Sequence, residues 1–288
     1  FIGVTAAESV NLTACYLAKQ LGAKKTIARI SNPELKENDN IDFSELGISE
    51  LISPEILTSK EINMAINRAE FTDPFEFEGG ALITLGLSAT HTSTFVGKTV
   101  VEAAEIFPET HFFPISIKRD EKTIIPRGDT VFHSGDHIVF MTEPGGEEEL
   151  LKLSGQNNGV IKNVMILGGG RVGKKVAQDL SSNNFNVKLV EIDKDRAEEL
   201  AEDLENCLVI YGDGTNTELL DEESLDQMDS FIAVTGDSED NIMSSLIAKS
   251  KGINKTIALV DNLDYYKLTQ ISGIDTLINK KLLAADAI

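Results

Sequence analysis

The chain has 288 residues, 41% of them hydrophobic and 25% charged, which is enough for two or three globular domains and excludes a disordered or fibrous protein. Its 47 acidic against 26 basic side chains leave a net charge of −21, which repels nucleic-acid backbones and anionic lipid headgroups. The longest apolar runs, such as Val164 to Leu167 and Ile257 to Val260, fall far short of the ~20 residues a membrane-spanning helix needs, so any membrane role has to come through a partner.

The first 70 residues read as strand, helix, strand, helix, short strand. The same segment returns 230 positions later: Phe1 to Asn32 aligns without gaps on Phe231 to Asn262, with 13 of 32 positions identical, among them Thr5/Thr235, Asn11/Asn241, Gly22/Gly252 and the run Lys25 to Ala28 against Lys255 to Ala258. The strands are near-continuous apolar runs, such as Ile27 to Ile30, as parallel strands buried on both faces require. Some 71 residues that precede the second copy, Val160 to Ser230, have no counterpart ahead of Phe1. Residues 1–70 therefore read as the C-terminal half of a first nucleotide-binding domain, from inside a longer gene product. Its sheet needs a cover, and a second copy of the chain is the expected one, giving a homo-oligomer.

From about Phe75 to Leu153 the pattern turns to short alternating strands: Ala81 to Leu87, Phe112 to Lys118, Thr123 to Ile125 and His137 to Met141, punctuated by glycine and proline. One short helix is opened by Thr99 with Glu102 three residues on, the spacing of a capping box. Residues 71–155 read as a small α+β domain, and Gly145 to Gly159 as a linker.

Residues 156–288 complete what the first copy lacks. Strands at Val160 to Leu167, Val187 to Ile192 and Cys207 to Tyr211 alternate with helices at Arg171 to Ser182 and Lys194 to Leu204, and the repeated unit follows. About six strands alternating with helices predict an α/β fold with an open, doubly wound parallel sheet, partly duplicated around the small domain. Between Glu191 and Asp240 there are 18 acidic residues and two basic ones, Lys194 and Arg196, which argues against nucleic-acid binding. Cys15 and Cys207 suggest no disulfide framework and read as small buried residues.

The strongest motif is Gly168-Gly169-Gly170-Arg171-Val172-Gly173, a G-x-G-x-x-G between a predicted strand and a predicted helix. Glu191 stands eighteen positions beyond Gly173, at the end of the next strand. Gly168 permits a tight turn, Gly170 lets the backbone approach a pyrophosphate, Gly173 lets helix and strand pack, and the free N–H groups of the helix start receive phosphate. Glu191 would accept from ribose hydroxyls and repel a 2′-phosphate, favouring NAD over NADP. Arg171 is either a phosphate ligand or an exposed residue at the helix start. Asp213, in Gly212-Asp213-Gly214-Thr215, is a candidate acceptor for an adenine amino group, or this is a turn in which Thr215 caps the next helix. Thr235 and Gly236 end a strand on the far side of the crevice, and Asp237, Glu239 and Asp240 read as first-turn acids of the helix beyond.

Catalytic residues are harder to find. No tyrosine is followed four residues later by lysine, and His91, His111, His133 and His137 all fall in the middle domain. His133 and His137 straddle a Ser-Gly turn and so make a poor metal pair.

The glycine loop, the Val-Glu-Ile-Asp strand end, the Gly-Asp-Gly-Thr turn, the Val-Thr-x-x-x-x-x-Asn repeat and the β-rich segment with Val96 to Thr99 and Gly128 to His137 together resemble the RCK/KTN regulators of potassium transport. Within that family the chain is most similar to TrkA-type peripheral subunits. The resemblance implies a cytoplasmic, non-catalytic sensor on the inner face of the membrane, with NAD(H), or alternatively ATP or ADP, at Gly168, Gly170, Arg171, Val172, Gly173, Glu191, Asp213 and Thr235. It further implies a membrane-embedded potassium transporter subunit as partner, no metal and no nucleic acid. The rival from another class is an NAD-dependent oxidoreductase with an unrecognised catalytic site.

Overall fold

A computed structural model describes residues 1–37, 41–68, 71–77, 80–106, 112–120, 122–155, 161–262, 265 and 273–288. The chain forms two compact units, Phe1–Ile66 together with Ile161–Ile288, and Asn67–Val160.

The first unit opens with β1 (Ile2–Gly3), α1 (Glu8–Gln20), β2 (Ile27–Arg29), α2 (Pro33–Glu37), β3 (Glu50–Ile52) and α3 (Pro54–Asn67). The three strands pair in parallel in the order β1-β2-β3. Cys15, Ala28, Ile30, Ile48 and Leu51 form the core beneath α1 and α2.

The second unit holds β4 (Thr72–Phe77), β5 (Leu82–Ser88), α4 (Val100–Ile106), β6 (Phe112–Arg119), β7 (Lys122–Ile124), β8 (His137–Thr142) and α5 (Glu147–Ser154). Its strands pair antiparallel in the order β4-β5-β8-β6-β7. The capping box forms as read: Thr99 N–H donates to Glu102 Oε2 at 2.8 Å, and Glu102 N–H donates back to Thr99 Oγ1 at 3.2 Å. The expected linker is in part α5, because Leu150 and Leu153, three positions apart, are buried in this unit's core. Residues 156–160 lie outside the described residues.

The remaining elements belong to the first unit: β9 (Asn163–Leu167), α6 (Arg171–Ser182), β10 (Asn186–Glu191), α7 (Lys194–Asp203), β11 (Cys207–Tyr211), α8 (Thr217–Glu222), β12 (Ser230–Ala233), α9 (Ser238–Ser250), β13 (Lys255–Leu259), β14 (Thr276–Ile278) and α10 (Lys280–Asp286). The sheet is parallel in the order β11-β10-β9-β12-β13-β14, the doubly wound arrangement. Strand order reverses between β9 and β12, and the crevice where ligands bind in such sheets opens there.

The sequence repeat is a structural repeat. Ile2 pairs with Ile27 and Gly3 with Ala28, as Ile232 pairs with Ile257 and Ala233 with Ala258. Gly22 and Gly252 end α1 and α9 with φ of +99° and +91°, the left-handed region that favours glycine at a helix stop. A buried asparagine closes each copy. Asn241 Oδ1 accepts from Thr235 N–H at 2.9 Å while its Nδ2 donates to Leu259 O at 2.9 Å; Asn11 makes the same bonds with Thr5 N–H at 2.7 Å and Arg29 O at 2.9 Å. One side chain thus joins a strand end, the following helix and the next strand.

The cover expected for residues 1–70 is partly supplied within the chain. α3 buries Ile56, Ile62, Ala65 and Ile66, and Asn63 Nδ2 donates to Asp179 Oδ2 of α6 at 2.8 Å. Phe1, Ile2, Val4, Val10, Leu17 and Leu21 of this module stay exposed. Cys15 is fully buried, and desolvation pushes the half-buried Cys207 thiol up to about 11.

In the second unit Arg119 grips Asp136 with both arms, Nε to Oδ1 and Nη2 to Oδ2, each at 2.6 Å, and His133 N–H donates to Oδ2 at 2.8 Å. Burial alone would raise the Asp136 carboxyl, but the guanidinium and the His133 N–H outweigh it and hold it below the usual carboxylate range. A carboxyl depressed on folding stabilises above its unfolded pKa of about 4, and that support is lost as the pH falls below it. Asp136 is 1% exposed, so Asp136→Ala removes a buried partner and should cost about 3 kcal/mol. Amide exchange in β6 and β8 should then accelerate about a hundredfold; unchanged rates would show that the pair contributes nothing net.

Candidate nucleotide site

The glycine loop is built by close approaches that only some of its positions share. A Cβ on Gly173 would stand 1.9 Å from the Gly168 carbonyl oxygen, and one on Gly168, whose φ is +102°, would stand 3.0 Å from Thr235 N. A Cβ on Gly169 would meet Leu200 Cδ1 at 2.3 Å. At Gly170 nothing lies within 4 Å. The loop is therefore locked against the sheet on three sides and open at Gly170, which caps α6 in extended conformation without any side-chain bond to the helix N–H groups. An anion there meets free donors and the positive end of a twelve-residue helix.

Glu191, at the end of β10, is 5% exposed. Its Oε2 accepts from Gly169 N–H at 2.7 Å and its Oε1 from Asp193 N–H at 2.9 Å. The carboxylate thus braces the glycine loop against the neighbouring strand, a role the motif did not reveal, and each oxygen keeps one further lone pair. Asp213 is exposed, and its Oδ1 accepts from Thr215 N–H at 2.9 Å and Thr215 Oγ1 at 2.7 Å. The Thr215 N–H first, then its hydroxyl, hold the Asp213 carboxyl below the usual range. Thr215 does not cap the next helix as read; Asn216 does, accepting from Glu218 N–H at 2.9 Å, because the Asp213 turn has already engaged the threonine.

Two hollows meet at the loop. One, of about 270 Å³, is walled by Glu191, Ile192, Asp213 and Thr215; the other, of about 510 Å³, by Arg171, Val172, Lys174, Leu200, Glu55 and Lys280. Gly170, Arg196, Val234, Thr235 and Gly236 line both. Seven of the eight residues read from the sequence therefore line these two adjoining hollows; Gly173 does not, because it packs against the Gly168 carbonyl. Arg196, on the first turn of α7, was missed as a site residue, although it is one of the two cations of an acidic stretch and thereby conspicuous. Among the described residues neither Arg171 nor Arg196 has a carboxylate within ion-pair distance, whereas Lys174 pairs with Asp203 at 2.5 Å.

The first module also reaches the crevice. Glu8 Oε2 accepts from Ser31 N–H at 3.0 Å and Asn32 N–H at 3.1 Å, and these bonds in that order, with the Arg171 guanidinium adding to them, hold its carboxyl down. His91, His133 and His137 lie in the second unit, and His111 lies outside the described residues. Among the described residues no three His, Cys, Asp or Glu side chains are grouped to hold a metal ion.

The doubly wound parallel sheet with its glycine loop is a Rossmann-type fold, and the chain carries a small antiparallel unit besides. The TrkA-N domain model matches residues 164–280 and the TrkA-C domain model residues 87–155. The chain is 32% identical to the Trk system potassium uptake protein TrkA homolog 2 of Methanosarcina mazei, over 97% of this chain and 64% of that protein. It is 32% identical to TrkA homolog 1 of Methanosarcina mazei, over 97% of this chain and 70% of that protein, and 34% identical to Haemophilus influenzae TrkA, over all of this chain and 63% of that one. The chain belongs to the TrkA family of Trk system potassium uptake proteins, and spans about two thirds of the length of these relatives. Its fold is that of the crystallised GsuK RCK domain, with a TM-score of 0.65 at 19% identity over 99% of this chain and 60% of that one. The GsuK channel bound to NAD gives a TM-score of 0.67 at 19% identity, over 99% of this chain and 50% of that one.

The two inner glycines separate fold from ligand. Gly173→Ala should destabilise by about 2 kcal/mol, since backbone has to yield to its methyl group, and lower Tm by about 5 °C in thermal unfolding. Gly170→Ala should leave Tm within about 1 °C, because its Cβ points into open space. Equal shifts would mean that the loop is not held as described.

Proposed function

We propose that this chain is a cytoplasmic regulatory subunit that binds NAD(H) or an adenine nucleotide at the glycine loop and, by conformational change, gates a membrane potassium uptake channel or transporter. The observation that carries the reading is the open space at Gly170 inside an otherwise locked loop, flanked by two arginines without carboxylate partners. In a chain of net charge −21, the uncapped N–H groups of a helix start and two arginines gathered at one loop favour an anion there. The names of its relatives, potassium uptake proteins, supply the physiological context.

On this reading Gly168 to Gly173 and Arg171 receive the phosphates, Glu191 and Asp213 face the adenosine, and Val172 and Thr235 close the crevice. Residues 1–70 are the back half of a first nucleotide domain, 71–155 the regulatory domain, and 156–288 a complete second nucleotide domain. The chain works as an oligomer on the inner face of the membrane beside a potassium transporter subunit, and it catalyses no reaction. A ligand can shift such an assembly only by binding one arrangement more tightly. Here the crevice is walled by residues of both modules, Glu55 from the first and Arg171 from the second, so a ligand favours the arrangement that keeps both walls in place. Among the described residues no helix is long and apolar enough to cross a membrane.

Isothermal titration tests the pocket. Gly170→Val should lose at least about a hundredfold in affinity for both NADH and ATP with its fold intact, because the side chain takes the pyrophosphate's place; retained affinity for either would remove the loop from the site. NADPH should bind the wild-type chain about tenfold more weakly than NADH, since its 2′-phosphate meets the Glu191 carboxylate. Equal affinities would strip Glu191 of that role.

A further inference from the structure

The two edges of the six-stranded sheet are unlike. β14 is three residues long, whereas β11, Cys207-Leu208-Val209-Ile210-Tyr211, is five, carries neither charge nor proline, and buries none of its side chains fully. Leu208 is 55% and Tyr211 60% exposed. Soluble proteins avoid a long apolar edge without such guards, because its free backbone groups pair with any strand that arrives.

The backbone fixes which groups are free. Among the described residues β11 pairs with β10 alone, in parallel, and Gly212 N–H donates to Glu191 O at 2.9 Å. Successive residues of a strand turn their N–H and C=O to opposite edges, so Leu208 and Ile210 face β10 with Gly212, and Cys207, Val209 and Tyr211 turn theirs outward. The two faces beside this edge also differ. Ile210 joins Leu219 and Leu220 of α8 in one apolar cluster, and Leu208 shares that face. α7 packs along β11 on the other, and with the turn after it brings the exposed Glu202 and Glu205, which have no cation within ion-pair distance among the described residues.

We propose that β11 is a docking edge at which a partner protein adds an extended segment as a further strand, apolar on the side of Leu208 and bearing lysine or arginine on the side of α7. The three outward residues supply main-chain hydrogen bonds, and the acids beside them select basic side chains. The same charges tell against a second copy of this chain as occupant. Two β11 edges paired antiparallel about Val209 would set Glu205 of each copy opposite Asp213 of the other, like charge against like.

Fluorescence anisotropy of the full chain with a labelled ten-residue peptide of alternating lysine and valine tests this, with a peptide of alternating glutamate and valine as control. The lysine peptide should bind at least about tenfold more tightly than the glutamate peptide. Val209→Pro removes an outward N–H while sparing the β10 ladder, and should weaken binding about fivefold to tenfold, the scale of one main-chain hydrogen bond. Glu202→Lys combined with Glu205→Lys should weaken it at least as much without touching the backbone. In the complex, amide exchange should slow at Val209 and Tyr211 and stay unchanged at Leu208 and Ile210, which β10 already holds; this alternation and the charge reversal carry the test where Val209→Pro does not fold. Equal affinity for the two peptides, or exchange that ignores the alternation, would overturn the proposal. Self-association of the chain that Val209→Pro abolishes, with no peptide bound, would give the edge to a second copy and overturn it too.

Discussion

The close approach of Gly173 to the Gly168 carbonyl is the contact on which the site depends. With no Cβ between them, the first turn of α6 settles on the end of β9, and its N–H groups face the crevice at the reversal of strand order. Everything nearby serves that approach. Gly169 leaves room for Leu200 and the Glu191 carboxylate, and Glu191 fixes the loop by two backbone hydrogen bonds. The same requirement that empties these positions of side chains leaves the helix start uncapped at Gly170, so a tightly packed loop and an open anion site are one solution.

The repeat shows which parts of the module are structural and which are local to one copy. Asn11 and Asn241 make matching bonds, and β1 and β12 pair with their neighbours in the same register. Ser238 and Glu8 occupy equivalent places and do equivalent work, each accepting an N–H at the far end of the next strand, from Asp261 at 3.0 Å and from Ser31 at 3.0 Å. The carboxylate in place of the hydroxyl gives the first module a charge facing Arg171, which the second module has no means of returning to itself.

The architecture was legible where burial on both faces forces apolar strands and where glycine has a geometric duty: α6 and β11 fall on the residues read for them, the glycine loop makes the tight strand-to-helix turn its spacing implied, and the capping box at Thr99 forms. The misses have physical causes. No strand was read over Thr72 to Phe77, which contains Pro74; β4 forms there as an edge strand with its register shifted between Thr72 and Phe75, where a missing N–H is tolerated. α5 is eight residues between glycines, so its Leu150 and Leu153 were too few to outweigh a linker-like composition. Glu55 gave no signal, since nothing in the spacing of a proline and a glutamate tells which distant loop they will face.

That last blindness follows from how the crevice is divided. A Rossmann-type motif reports only the half of a site that one βαβ unit builds, because its spacing is local. The other wall here comes from α3, more than a hundred residues upstream, tied to α6 by the Asn63 to Asp179 bond. The charge balance follows the same division. Glu8 and Glu55 of the first module stand toward Arg171 and Lys280 of the second, the Lys280 ammonium 3.7 Å from Glu55 Oε1, so opposite charges meet where the two modules adjoin and no local motif could announce them.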